Sequence, residues 1–239
     1  MEAAPKQASV AALGRLGGER AIEVLFAHLD DRDSYVRQEA ERALVSLPQL
    51  PLDVLLRQAS GSAPEARRLA IRRLGEDRQV KAVPVLLAML RDADGALRLE
   101  LVSSLARFDD PDSARALQAA AKDKEVGIRL GAVDVLGILD QPWTTAALVS
   151  AAGDADTTVR AQAVRSLGLK KDDRAALAAI LHATKDPAPA VRAATARALA
   201  NRREESAEKV LRLLLEDLSP EVRQAAPEAL FGPEQKKRY

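Results

Sequence analysis

Cysteine is absent from the chain, which excludes disulfides, thiolate metal sites and a cysteine nucleophile. Aromatic residues are scarce, at 3% of the chain with Trp143 the single tryptophan, so there is little with which to stack nucleic-acid bases. No excess of one charge exists either. The 36 basic and 35 acidic residues balance to a formal +1, and no global field draws the chain towards nucleic acid or an anionic membrane. No apolar run approaches the length of a membrane span. Met1 to Gly18 lacks the apolar core between basic and cleavable flanks that marks a signal peptide. The expected location is the cytoplasm, with no membrane contact.

What the chain does have is a period. The stretch from Asp154 to Leu167 reads D-A-D-T-T-V-R-A-Q-A-V-R-S-L, and its skeleton recurs. With Arg160 as anchor, equivalent arginines stand at Arg37, Arg67, Arg98, Arg129, Arg192 and Arg223, spaced by 30 to 32 residues. Six residues before the anchor comes aspartate in Asp31, Asp92, Asp123, Asp154, Asp186 and Asp217, with Gly61 the exception. Seven residues after it every unit has leucine, from Leu44 to Leu230, and twelve before it an aliphatic residue, from Leu25 to Leu211. A fixed period of this size is the signature of a repeat array in which each unit buries its apolar face on its neighbours.

Each repeat reads as a helical hairpin. First helices are predicted at roughly 21–29, 52–59, 82–90, 113–121, 143–152, 174–184 and 206–216, and second helices at 34–46, 64–75, 95–108, 126–139, 157–169, 189–201 and 220–231. Asp33, Asp94, Asp156 and Ser219 are candidate caps for second helices, and Pro64, Pro189 and Pro220 fit the first helical position. Pro84 and Pro227 are expected to bend their helices. Lys6 and Leu13 keep the register, so residues 5–16 read as the second half of a hairpin with an uncapped apolar face. That face is expected to meet a preceding segment, a partner or a second copy. The repeats run 5–16 (half), 19–47, 51–76, 79–108, 112–139, 142–170, 173–202 and 205–232, giving one array over 1–232 and a basic tail over 233–239. The repeat over 51–76, flanked by Pro48 and Pro51 and lacking the aspartate, is expected to be the loosest.

The recurring D-x-D-x-x-V-R-x-x-A-x-x-x-L-G resembles the HEAT repeat, specifically the short bacterial class shared with phycobilisome lyases. The resemblance implies an all-α, right-handed α-α superhelix of about seven helix pairs plus a half-repeat, with second helices lining a concave side. It also implies a ladder joining Asp31, Arg37, Asp92, Arg98, Asp123, Arg129, Asp154, Arg160, Asp186, Arg192, Asp217 and Arg223. The physical case for a ladder is independent: an arginine beside an aliphatic stripe needs a carboxylate and carbonyls for its fork of donors.

Chemistry finds little support in the residues. His28 and His182 have no histidine at ligand spacing and no following glutamate, unlike the His-Glu pairs of HEAT-like deoxyhypusine hydroxylases. No phosphate loop or nucleophile motif occurs, and no catalytic residue, metal or cofactor is assigned. A bilin lyase or isomerase and a DNA glycosylase, both found among HEAT-like proteins, are the enzymatic alternatives. The favoured reading is a non-catalytic scaffold that binds a protein or peptide on the concave face. Positions one and five after the anchor are expected to face outward there. They present Leu99 and Leu130, flanked by Arg42, Arg68, Arg72, Arg165 and Arg197, with Asp134 in the same row. An acidic amphipathic segment fits this set. Nucleic acid is the rival ligand, and Asp134, Glu228 and the shortage of aromatics count against it.

Overall fold

The computed structural model describes residues 3–90, 93–200, 202 and 204–231, with side-chain surroundings for residues 9–226 of these. Asp92, the Glu228 side chain and the basic tail lie outside them. Fifteen α-helices and no strand occur among the described residues. Contacts divide the chain into two compact units, Met1–Ala114 and Arg115–Tyr239. The first holds α1 (Ala3–Leu16), α2 (Glu19–Ala27), α3 (Ser34–Ser46), α4 (Leu52–Ala59), α5 (Pro64–Glu76), α6 (Val83–Leu90) and α7 (Gly95–Leu105). The boundary falls inside α8 (Pro111–Ala120). The second unit continues with α9 (Val126–Ile138), α10 (Pro142–Ala151), α11 (Thr157–Gly168), α12 (Arg174–His182), α13 (Pro189–Leu199), α14 (Glu205–Leu214) and α15 (Pro220–Phe231).

Odd-numbered helices from α3 onward are the second members of hairpins, and α1 is the predicted half-repeat, packed on α2 and α3. Their starts follow the local chemistry. Asp33, Asp94 and Asp156 each accept a first-turn N–H, from Tyr35, Leu97 and Thr158 respectively, and Asp156 also from Val159. Pro64 and Pro189 open α5 and α13, where the missing N–H costs no intrahelical bond. Pro84 departs from expectation. A 3-10 turn at Val80–Ala82 precedes α6, and Pro84 is the second residue of α6. It starts the helix instead of bending it, because the first-turn N–H that it lacks has no carbonyl to meet.

The core lies where the four registers meet. The residue before each anchor is buried in every repeat, from Val36 to Val222, as are those three after it, from Ala40 to Ala226. The described leucines seven after the anchor, Leu44 to Leu199, are each 0% exposed. The aliphatic row of the first helices, Leu25 to Leu211, closes the same interior from the other side. Each leucine of these rows contributes about 1.5–3 kcal/mol through removal from water.

Second helices of neighbouring repeats approach closely because glycine faces a small residue. A Cβ on Gly75 would stand 2.5 Å from Ser104 Oγ, and one on Gly137 would stand 2.7 Å from Ser166 Oγ. The serines donate back across the junction, to Ile71 O at 2.8 Å and Val133 O at 3.2 Å. This brings α5 against α7 and α9 against α11. Gly14 with Ala43 and Gly168 with Ala198 repeat the pairing at α1/α3 and α11/α13. The junction between α3 and α5 differs. Val45 replaces the glycine and Arg73 the small residue, and the two backbones make no comparable approach.

Candidate functional site

The arginine and aspartate of each repeat form rungs in the second unit. Arg129 donates from Nε to Asp154 Oδ2 at 2.8 Å and from Nη2 to Oδ1 at 3.1 Å. Arg160 meets Asp186 at 2.8 and 3.1 Å, and Arg192 meets Asp217 at 2.8 and 2.9 Å. The Nη1 of each reaches back to the carbonyl of its own repeat's aspartate, at 2.7 Å for Asp123, 2.9 Å for Asp154 and 2.8 Å for Asp186. Each carboxylate also accepts the N–H two residues on, from Asp156, Ala188 and Ser219, all at 2.8 Å. One guanidinium thus ties two loops and two repeats. Burial pushes the Asp186 carboxyl up, but hydrogen bonds from Arg160 and the Ala188 N–H, with both arginine charges, outweigh it and hold it below its ordinary value. Asp217 is lowered too, chiefly by the Arg192 hydrogen bond. Arg160 and Arg192 are raised by the carboxylates they bind, against burial.

In the first unit the pattern breaks after Arg37. Arg37 donates Nη1 to Asp31 O at 2.7 Å and Arg32 O at 3.1 Å, but the next repeat offers Gly61 where the carboxylate would stand. Arg67 donates Nε to Ala59 O at 3.1 Å, Arg98 donates Nη2 to Ala93 O at 3.0 Å, and Asp92 is outside the described residues. At the last repeat Arg223 keeps its backward bonds, to Asp217 O at 2.7 Å and Leu218 O at 2.9 Å.

A second set of cations was not foreseen from the register. Arg73 and Asp77 are buried as a pair, with side chains 5% and 6% exposed and 3.0 Å apart. Arg73 also donates to the carbonyls of Val45 at 3.2 Å and Leu47 at 2.9 Å, satisfying the end of α3. Arg202 does the same for α11, donating to Lys170 O at 2.7 Å and Lys171 O at 2.5 Å. Lys170 donates to Leu139 O beyond the end of α9, and burial lowers its amine below the ordinary lysine value. Lys170 and Arg202 both stand ten residues after an anchor arginine, the one sequence signal that marks this role.

The two outward rows divide. Five residues after the anchor, Arg42, Asp134, Arg165 and Arg197 are exposed, while Arg72 and Ser103 are half-buried. One residue after it, Gln38, Arg68, Leu99 and Gln224 are exposed and Leu130 is half-buried, but Ala161 and Ala193 are buried at 3% and 0%. The expectation that this row faces outward throughout is therefore corrected: where alanine occupies it, the neighbouring second helix closes over the methyl. Leu99 belongs to the first unit and Leu130 to the second.

Charge pairing separates the arginines further. Arg42 pairs with Glu39 at 2.7 Å, Arg68 with Glu65, and Arg72 with Glu100 at 3.4 Å and Glu41 at 3.9 Å. In the second unit Arg165 donates Nε to Gln162 Oε1 at 2.8 Å, and Gln162 in turn donates to Asp134. Among the described residues no carboxylate lies within ion-pair distance of Arg165 or Arg197.

Two further hollows lie elsewhere in the second unit. One, of about 740 Å³, is lined by Asp140, Thr145, Lys170 and Asp173 at the loops. The other, of about 610 Å³, runs between α10 and α12 and is lined by Val149, Ala175, Ala178, Ala179 and His182. His28 hydrogen-bonds Val24 O through Nδ1 at 2.7 Å. Trp143 is half-buried in the first turn of α10. No group of three or more metal-ligating side chains occurs among the described residues, and no helix there is long and apolar enough to cross a membrane.

The family profile for HEAT repeats matches residues 52–137, 83–168 and 144–230 in overlapping stretches. The X-ray structure of YibA from Escherichia coli superposes with a TM-score of 0.61 at 19% identity, covering 96% of this chain and 87% of that one. The CpcE and CpcF complex of phycocyanin lyase from Nostoc sp. gives a TM-score of 0.51 at 20% identity, covering 77% of either chain. At these identities the likeness concerns the fold alone. No curated protein matches the chain. The hairpin register, the guanidinium-carboxylate rungs and a profile that matches most of the length lead to one conclusion: the chain belongs to the HEAT-repeat family.

Proposed function

We propose that the chain is a non-catalytic scaffold that binds an acidic segment of a partner protein on the second-helix face of residues 115–239, with Arg165 and Arg197 as its two anchoring cations. The observation that carries this reading is the contrast in pairing. At the equivalent positions of the first unit Arg42, Arg68 and Arg72 are each paired with a glutamate, whereas Arg165 and Arg197, on the packed helices α11 and α13, meet no carboxylate among the described residues. Ala161 and Ala193 are buried at the position one residue after the anchor, so no long side chain stands beside the two guanidiniums in that row. Two guanidiniums and an amide suit the holding of an anion rather than the moving of a proton. A duplex or single strand tracking along these rows would need free arginines at the same positions of the first unit as well, and Arg42, Arg68 and Arg72 are engaged there.

The test is a fluorescence titration with an amphipathic helical peptide bearing glutamates on one face. The wild-type chain is expected to bind it with salt-sensitive affinity, and Arg165→Glu/Arg197→Glu to weaken it at least about tenfold, roughly 1.4 kcal/mol, with unchanged helical circular dichroism. Equal affinity in the double variant rejects the assignment.

A further inference from the structure

The three rungs of the second unit show what an anchor arginine binds: one carboxylate, seated across Nε and Nη2 at 2.8 to 3.1 Å, while Nη1 holds two loop carbonyls. Arg37 has the same backward half of this arrangement, with Nη1 on Asp31 O and Arg32 O. Among the described residues its forward edge meets no carboxylate, because Gly61 stands at the position of the aspartate. The guanidinium is held in place by its two carbonyl bonds, so its orientation does not depend on the missing partner. It is also reachable. The wider junction between α3 and α5 leaves a cleft of about 210 Å³ lined by Arg37, Gln38, Glu41, Glu65, Arg68 and Arg72. The two glutamates there are engaged by Arg68 and Arg72, so the unmatched charge in the cleft is the cation of Arg37.

We infer that this cleft is a receptor for a side-chain carboxylate donated by an acidic segment of another protein, which completes from outside the rung that the chain lacks. The recognition is that of the internal rungs, a planar fork matched to two carboxylate oxygens. The inference rests on the reading of the chain as a protein-binding array but concerns a different place, within the first unit, and does not involve Arg165 or Arg197.

The experiment follows the arginine Nε–H signals of the full chain by nuclear magnetic resonance, with Arg37 assigned by the peak lost in Arg37→Lys. The probe is a hexaglutamate peptide blocked at both ends, with the hexaglutamine peptide and inorganic phosphate as controls. The Arg37 signal is expected to shift saturably with the glutamate peptide and to stay put with glutamine. In Gly61→Asp, where a Cβ would stand 3.2 Å from Gln58 O and requires only a small adjustment, the signal is expected to lose its response to the peptide. In Arg165→Glu/Arg197→Glu the response at Arg37 is expected to persist, which separates this site from the face proposed above. A still Arg37 signal at millimolar peptide, an undiminished response in Gly61→Asp, or a response to phosphate without one to glutamate overturns the assignment.

Discussion

At the scale of single residues, rungs differ in what they risk. Arg160 and Asp186 are 14% and 10% exposed and share two hydrogen bonds, so removing one strands the other in a poorly hydrated place. Arg160→Ala is expected to cost about 3 kcal/mol in denaturant unfolding. Arg37→Ala removes a guanidinium that has no carboxylate to strand, and is expected to cost below about 1 kcal/mol in the same measurement. Equal costs would show that the carboxylate is not what makes a rung matter. The same carboxylates set an acid limit. Asp186 and Asp217 lie below their ordinary value of 3.8 when folded, so their contribution is present above that pH and is lost as pH falls through the lowered values. Unfolding free energy is expected to stay level above about pH 5 and to fall steeply below 3.8, less steeply in Arg192→Gln, where Asp217 returns towards the ordinary range.

At the scale of helices, the junctions decide local stability. Where glycine meets serine or alanine, second helices close on one another. Between α3 and α5 a long buried arginine spans the gap instead. Amides of residues 48–64 are expected to exchange faster than those of 143–169, with Leu50, whose N–H donates to Asp77 at 3.3 Å, an exception. Equal protection would mean that Arg73 and Asp77 replace the missing rung in full. Most of this layer was legible in the sequence, because caps, prolines and buried registers are local signals. The predicted second helices 34–46 and 220–231 coincide with α3 and α15, and 64–75 falls one residue short of α5. What was not legible depended on neighbours. Ala161 is 100° round the wheel from its anchor and is exposed or buried according to how near the next helix comes, which glycine and alanine pairings set. Arg73 reads as one more surface arginine until the carbonyls of α3 are placed beside it. The ladder positions were readable from period alone, yet the free edge of Arg37 became a site only when the cleft beside it was seen.

At the scale of the molecule, the repeats supply one another's interior and leave their chemistry on the outside. That arrangement suits contact with another chain, and pairing among surface charges selects where contact occurs. Within the second unit the face of α9, α11 and α13 carries Arg165 and Arg197, which meet no carboxylate among the described residues, whereas on the opposite, first-helix side Arg212 is tied to Glu208 at 2.7 Å. Phenylglyoxal labelling of arginines, read by mass spectrometry with and without a saturating glutamate-faced helical peptide, tests this placement most directly. The expected result is protection of Arg165 and Arg197 with Arg212 labelled as before; protection of Arg212 with Arg165 and Arg197 unchanged would contradict it.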